Sequence, residues 1–235
     1  MRVEMDPDPA WVAALTGRTE RTAQRALQEV AGREGLFSQI DEEHRREGRT
    51  SYIEVDAPME LYAIARLLRP RHIVEVGVSS GVSSAYILAA LAANDLGTLH
   101  SVDLPSFERR TAGRKVSRSS WSLPPGRAPG WAIPPSLRNR WDLRLGDMSE
   151  LVPRLSTELP GIGLVLYDVP HQDSEVAREL RALDPHLSPS CPVIVDHGPG
   201  GGVCRAVQRW ARQHGGRTVR RRGLGLSGAR RGARR

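Results

Sequence analysis

Five short strand-patterned stretches, RHIVEVGV, GTLHSVDL, WDLRLGD, IGLVLYDVP and CPVIVDHG, alternate with helix-patterned stretches between Arg71 and Gly216. The strand stretches are rich in Val, Ile and Leu and nearly continuous in apolar character. A parallel sheet buried on both faces requires that pattern, because each crossover helix covers one face. The reading is an α/β fold, doubly wound, with a mostly parallel sheet and helices on both faces. The stretch RTVRRRGLGLSGA adds one or two late edge strands, for a seven-stranded sheet. Ligands of such sheets collect at the carboxyl ends of the strands, where the strand order switches direction.

Ahead of the sheet, residues 8–47 read as helical, with Gly17 and Gly35 as breaks. DAPMELYAIARLLRP reads as an amphipathic helix with Asp56 as N-cap, Pro58 in the first turn and Pro70 past the end. The expected division is an N-terminal helical extension over 1–50 and a main domain over 51–235. Within that domain, 104–139 is a lid or substrate loop carrying Trp121 and Trp131, and 220–235 is a basic tail. The glycines at 198 and 200–202 form a second flexible wall.

The net charge of +7 would suggest a nucleic-acid partner if it were spread over the body. It is not: eleven arginines and no acid lie from Arg205 onward, leaving 23 basic against 27 acidic residues before it, a net of −4. Either a solvated tail or a patch for an acidic partner is open on this count. The two cysteines, Cys191 and Cys204, have no metal-binding spacing and read as free thiols. No apolar run approaches the roughly 18 residues of a membrane span, and MRVEMDPDPAWVAAL lacks the basic and apolar parts of an export signal. The expected setting is cytoplasmic, with no membrane partner.

The turn after the first strand carries Gly77 and Gly81. Glycine there tolerates unusual backbone angles, and the following helix offers free N–H groups. About 22 residues past Gly81, Asp103 ends the second strand, where a carboxylate can accept both hydroxyls of a ribose. There is no Gly-Lys-Ser/Thr, and the spacing is G-x-x-x-G rather than G-x-G-x-x-G. Glu75 places a negative charge beside the turn, which suits an ammonium group and not a pyrophosphate. These residues point to a nucleoside site without phosphates.

The E-x-G-x-x-x-G motif with the acidic end of strand two resembles the cofactor motif of class I S-adenosylmethionine-dependent methyltransferases. SYIEVDAPMELYAIARLLRP, SVDLP, GWAIPPSLRNRWDLRLGDMSELVPRL and HLSP resemble the small-molecule O-methyltransferase branch of bacterial secondary metabolism, often labelled cephalosporin-hydroxylase-like and related to catechol-type enzymes. The likeness runs from about Ser51 to Ala206. It implies a Rossmann-like fold and S-adenosylmethionine as cofactor. Glu75, Gly77, Ser79, Gly81 and Ser83 would line its methionine part, Asp103 would hold the ribose, and Asp147 with Met148 would sit by the adenine. Asp147 as a simple helix N-cap is the alternative.

The resemblance also implies chemistry. Metal-assisted O-methyltransferases hold the acceptor hydroxyl on a divalent ion, and hard cations want oxygen ligands from neighbouring strand ends. Here the set would be Asp168, Asp196 and His197, for Mg or Mn; a histidine in third place departs from the catechol-type pattern and suits Mn, Fe or Zn better than Mg. The bland alternative has Asp196 and His197 capping the glycine-rich turn. His171, three residues after Asp168, would be the general base, at the offset where catechol-type enzymes carry lysine. The expected activity is O-methylation of a hydroxylated small molecule. N-methylation of an amine or nucleic acid, with DVPH standing near the Asp/Asn-Pro-Pro-aromatic motif, and a silent binding protein are the alternatives. A homo-oligomer is left open.

Overall fold

The structure is a computed structural model that describes residues 7–32, 35, 38, 58–104, 123, 126–168, 172–196, 204–221 and 226–231. Two helices come first, α1 (Pro9–Thr16) and α2 (Glu20–Ala31). Asp8 caps α1 by accepting from the Trp11 N–H at 3.0 Å, and Thr19 caps α2 by accepting from the Thr22 N–H. Gly17 ends α1 in the left-handed conformation, as its position predicts, while α2 stops at Ala31 with Gly32 as its cap, short of Gly35. Helix α3 (Pro58–Leu68) follows; its predicted cap, Asp56, lies outside the described residues.

The alternation then unfolds as read: β1 (His72–Val76), α4 (Val82–Asn94), β2 (Thr98–Asp103), a 3-10 turn over Pro135–Arg140, β3 (Trp141–Leu145), α5 (Met148–Glu158), β4 (Ile162–Tyr167), α6 (Asp173–Leu183), β5 (Pro192–Asp196), α7 (Arg205–Gln213), β6 (Arg217–Arg220) and β7 (Leu226–Arg230). The seven strands order as β3-β2-β1-β4-β5-β7-β6. Strands β1 to β5 are parallel, and β7 is antiparallel to both of its neighbours. The chain winds outward from β1 to β3 and then returns to β4 on the other side of β1. The switch in direction therefore lies between β1 and β4.

Each strand shows alternate residues to opposite faces. Ile73, Leu99, Leu164, Leu166 and Ile194 join one apolar layer with α1 to α4, and Val74, Val76, Val102, Val165, Val193 and Val195 join the other with α5 to α7. The N-terminal helices thus share the first core layer: Trp11, Val12, Leu15, Leu27 and Val30 are buried in it beside Leu61 and Ile64 of α3. Among the described residues no helix is long and apolar enough to cross a membrane. Cys191 and Cys204 are both buried free thiols.

The C-terminal reading needs correcting. Residues 220–235, expected as a basic tail, supply β7, which lies inside the sheet and not at its edge; of the two late strands only β6 is at an edge, opposite β3. Gly228 of β7 presses against the Leu15 side chain, where a β-carbon would come within 2.7 Å. Arg221 is buried against Glu60 of α3, and Arg231 is buried toward the carbonyls of Asp184 and Leu187. Two of the eleven late arginines are therefore internal ties of the fold.

Candidate active site

Parity along the strands brings the acids together. Glu75 has the same facing as Ile73, Asp103 the same as Leu99, Asp168 the same as Leu166, and Asp196 the same as Ile194. All four carboxylates consequently emerge on the α4 side, at the carboxyl ends of four parallel strands around the β1/β4 switch. The Asp168 N–H donates to the Val76 carbonyl at 2.8 Å, which fixes the end of β4 beside that of β1.

The turn between β1 and α4 is shaped by unusual backbone angles. Gly77 and Gly81 have φ of +94° and +93°, and Ser79 has φ of +50°, uncommon for a residue with a side chain. Gly81 is spared a β-carbon for a packing reason: one placed there would lie 2.6 Å from Ile133 Cγ1 and 2.8 Å from Gly130 Cα. The segment around Gly130 covers it, with the Gly130 and Ala132 N–H groups donating to the carbonyls of Ser79 and Ser80.

Asp103 is the anchor of that turn. Its Oδ2 accepts from the N–H groups of Val78 and Ser79 at 3.0 and 2.9 Å, and its Oδ1 from Leu104 at 2.7 Å. Burial raises its pKa above the ordinary carboxylate range, against the pull of those backbone donors. With two donors already on Oδ2 and one on Oδ1, a lone pair remains on Oδ1 for a hydroxyl donor.

Glu75 is fully buried. Its Oε2 accepts from the hydroxyls of Ser101 (2.6 Å) and Ser84 (2.8 Å), and its Oε1 has no partner among the described residues. Burial lifts its pKa from 4.5 to about 7, opposed by the two serine hydroxyls and aided by Asp103. Asp168 is held well above the usual carboxylate range, first by burial, then by the charges of Asp196 and Glu75, while the Ser83 hydroxyl at 3.2 Å pulls the other way. Such a cluster of acids calls for cationic company.

These shifts have a measurable consequence. Between about pH 4.5 and 7 the folded protein holds a proton on Glu75 that the unfolded chain releases. The associated stability is present in full below that window and is lost as pH rises through about 7. Melting of the unliganded protein should fall in temperature over this range, and Glu75→Gln should flatten the fall. A parent and variant with identical pH profiles would show that Glu75 is not the group responsible.

Among the expected adenine contacts, Asp147 is exposed and caps α5, its Oδ1 accepting from the Ser149 N–H at 2.8 Å. Met148 opens α5 and packs against the second core layer. For the expected metal set, Asp168 and Asp196 sit on adjacent strands, and the electrostatic cost of their proximity is what a hard cation would relieve. No group of three or more His, Cys, Asp or Glu side chains suited to a metal occurs among the described residues. His197 and His171 lie outside the described residues, as do Trp121 and the glycines at 198 and 200–202.

Sequence reasoning missed Ser84, Ser101 and Trp141, which surround Glu75 as a hydrogen-bonded chain. The signal for Ser101 was available only through the sheet register, which sets it directly beside Glu75.

The pattern of a family described as a methyltransferase domain matches residues 74–197. No curated protein matches the chain. Among solved structures, the chain is similar to the O-methyltransferase TomG from Streptomyces achromogenes, involved in tomaymycin synthesis and solved with S-adenosylmethionine. That match has 16% identity and a TM-score of 0.55, over 84% of this chain and 89% of TomG. It is also similar to CalS11, a calicheamicin methyltransferase, at 18% identity and a TM-score of 0.56, over 90% and 91% of the two chains. A third likeness is to an O-methyltransferase from Bacillus cereus solved with S-adenosylhomocysteine, at 13% identity and a TM-score of 0.51, over 94% and 96%.

Proposed function

The chain belongs to the methyltransferase-domain family, and on that premise we propose that it transfers the methyl group of S-adenosylmethionine to a hydroxyl of a small natural product, assisted by a divalent cation. The observation that carries this reading is the convergence of Glu75, Asp103, Asp168 and Asp196 at the β1/β4 switch, with a fully buried oxygen of Glu75 left without a partner among the described residues. A site so acidic repels phosphate. It favours a ligand that brings an ammonium and a sulfonium, and beside it a hard metal ion. The fold likeness to TomG, involved in tomaymycin synthesis, and CalS11, an enzyme in calicheamicin biosynthesis, supports a hydroxylated secondary metabolite as acceptor.

In this reading Glu75, Gly77, Ser79, Gly81 and Ser83 hold the methionine part, Glu75 through its open oxygen. Asp103 keeps the glycine turn in shape and accepts from the ribose hydroxyls. Asp147 and Met148 border the adenine, with Asp147 also serving as the cap of α5. Asp168 and Asp196 hold the cation, Mg or Mn, with His197 as third ligand. When bound, the sulfonium supplies an activated methyl group and the cation lowers the pKa of the acceptor hydroxyl. The protein then has to align the acceptor oxygen with the methyl carbon, exclude water and take up one proton. His171 takes that proton.

Calorimetric titration with S-adenosylhomocysteine, with and without Mn²⁺ and with NAD⁺ as control, tests the reading. Binding of the homocysteine form but not NAD⁺ is expected, with a separate Mn²⁺ signal that disappears in Asp168→Ala and Asp196→Ala. A parent that does not bind S-adenosylhomocysteine would overturn the activity. A Mn²⁺ signal surviving in both variants would overturn the metal assignment alone.

A further inference from the structure

We infer that Trp141, acting through the Ser101 hydroxyl, positions Glu75 for the cationic amino group of the bound cofactor. The inference rests on the methyltransferase reading above and assigns a role to two residues outside the glycine motif. Glu75 and Ser101 are partners in register across β1 and β2, and Ser101 is partnered in turn by Leu143 of β3. Trp141 stands two residues before Leu143, on the same face of the sheet.

The hydrogen bonds run in one direction. The Trp141 indole Nε1 donates to Ser101 Oγ at 2.9 Å, and an indole nitrogen can only donate. The serine oxygen therefore accepts, and its own proton is free to point at Glu75 Oε2, 2.6 Å away. Ser84 donates to the same oxygen at 2.8 Å. Two donors on Oε2 fix the carboxylate plane and leave Oε1, fully buried and without a partner among the described residues, facing a defined direction. A chain of this kind polarises each member in turn, so the tryptophan strengthens the bond that the serine makes. A buried carboxylate oxygen left open is costly, and a ligand bearing N⁺–H donors removes that cost.

The seat of Trp141 ties this carboxylate to the glycine turn. Its ring fills the space that a β-carbon at Gly130 would take, and the Arg138 guanidinium lies 5.8 Å from the ring centroid. The Gly130 N–H is bonded to the Ser79 carbonyl, and the Arg138 guanidinium also donates to the carbonyls of Ile133 and Gly130. One segment thus clasps the backbone of the turn and seats the indole that orients Glu75. Trp141 and Ser101 are positioning residues, since neither is required to touch the ligand.

The test compares two ligands that share nucleoside and thioether: S-adenosylhomocysteine, and 5′-deoxy-5′-methylthioadenosine, which lacks the amino-acid end. Trp141→Phe keeps the ring and loses the N–H, and Ser101→Ala removes one oxygen. Each should weaken S-adenosylhomocysteine by about tenfold and the methylthio nucleoside by less than about twofold. The double variant should be no weaker than the poorer single, because both break one chain. Unchanged S-adenosylhomocysteine binding in Ser101→Ala, or equal weakening of both ligands, would overturn the inference while leaving the activity standing. A parent that binds neither ligand would overturn the methyltransferase reading, and this inference with it. Ser101→Ala keeps the outcome decisive if Trp141→Phe does not fold.

Discussion

Asp103→Ala should weaken S-adenosylhomocysteine binding by roughly 100-fold or more, on the order of 3 kcal/mol. Two losses add. The first, in the proposed role, is a direct partner of the ribose. The second is the acceptor for three backbone donors, at Val78, Ser79 and Leu104. A buried N–H left without an acceptor costs about 1–3 kcal/mol, and the turn here also holds Ser79 at a φ of +50° against its preference. Without the carboxylate the turn should relax away from the conformation that presents its N–H groups. Asparagine is not a remedy. Its amide must turn an NH₂ either toward Val78 and Ser79 or toward Leu104, and each of those faces is already a donor. Asp103→Asn should therefore fall close to the alanine variant, well short of the parent. Calorimetry on parent and both variants decides, and alanine binding within about threefold of the parent would remove Asp103 from the cofactor site.

How far this could be read from the chain depends on how local each cause is. The strands were legible because runs such as IVEV, GLVLY and PVIVD leave a parallel, doubly covered sheet as the one place to bury them. Gly77 and Asp103 were legible because a strand-turn-helix unit puts a tight turn and a strand end at fixed offsets. The place of β7 was not, since its insertion between β5 and β6 follows from contacts such as Gly228 on Leu15, more than two hundred residues apart in the chain. The packing of Gly81 against Ile133 was not legible either, since no offset rule links the two. Asp147 satisfied two readings at once, and the structure realises the cap. Trp141 carried no signal of its own, because a tryptophan opening a strand reads as packing until the register places Ser101 between it and Glu75.

One of the late arginines, Arg221, bears on function as well as on stability. If they formed a free basic tail, a phosphate-bearing partner would be a natural use for them. Arg221 instead lies with 2% of its side chain exposed against Glu60, equally buried, donating through Nε at 3.0 Å and Nη2 at 2.7 Å. The same Glu60 Oε1 accepts from the Asp8 N–H at 3.1 Å, so this pair joins α3, the start of α1 and the end of β6. Arg221→Met should leave Glu60 charged and buried without its principal partner, a loss of about 3–5 kcal/mol. For a chain of this size that corresponds to a fall of roughly 10 °C in Tm. Replacing both residues together, Glu60→Met with Arg221→Met, should recover much of the loss, because the burial cost of the charges disappears with them. Differential scanning calorimetry of the three proteins separates the cases. A single variant melting within about 2 °C of the parent would mean that the pair contributes little to stability.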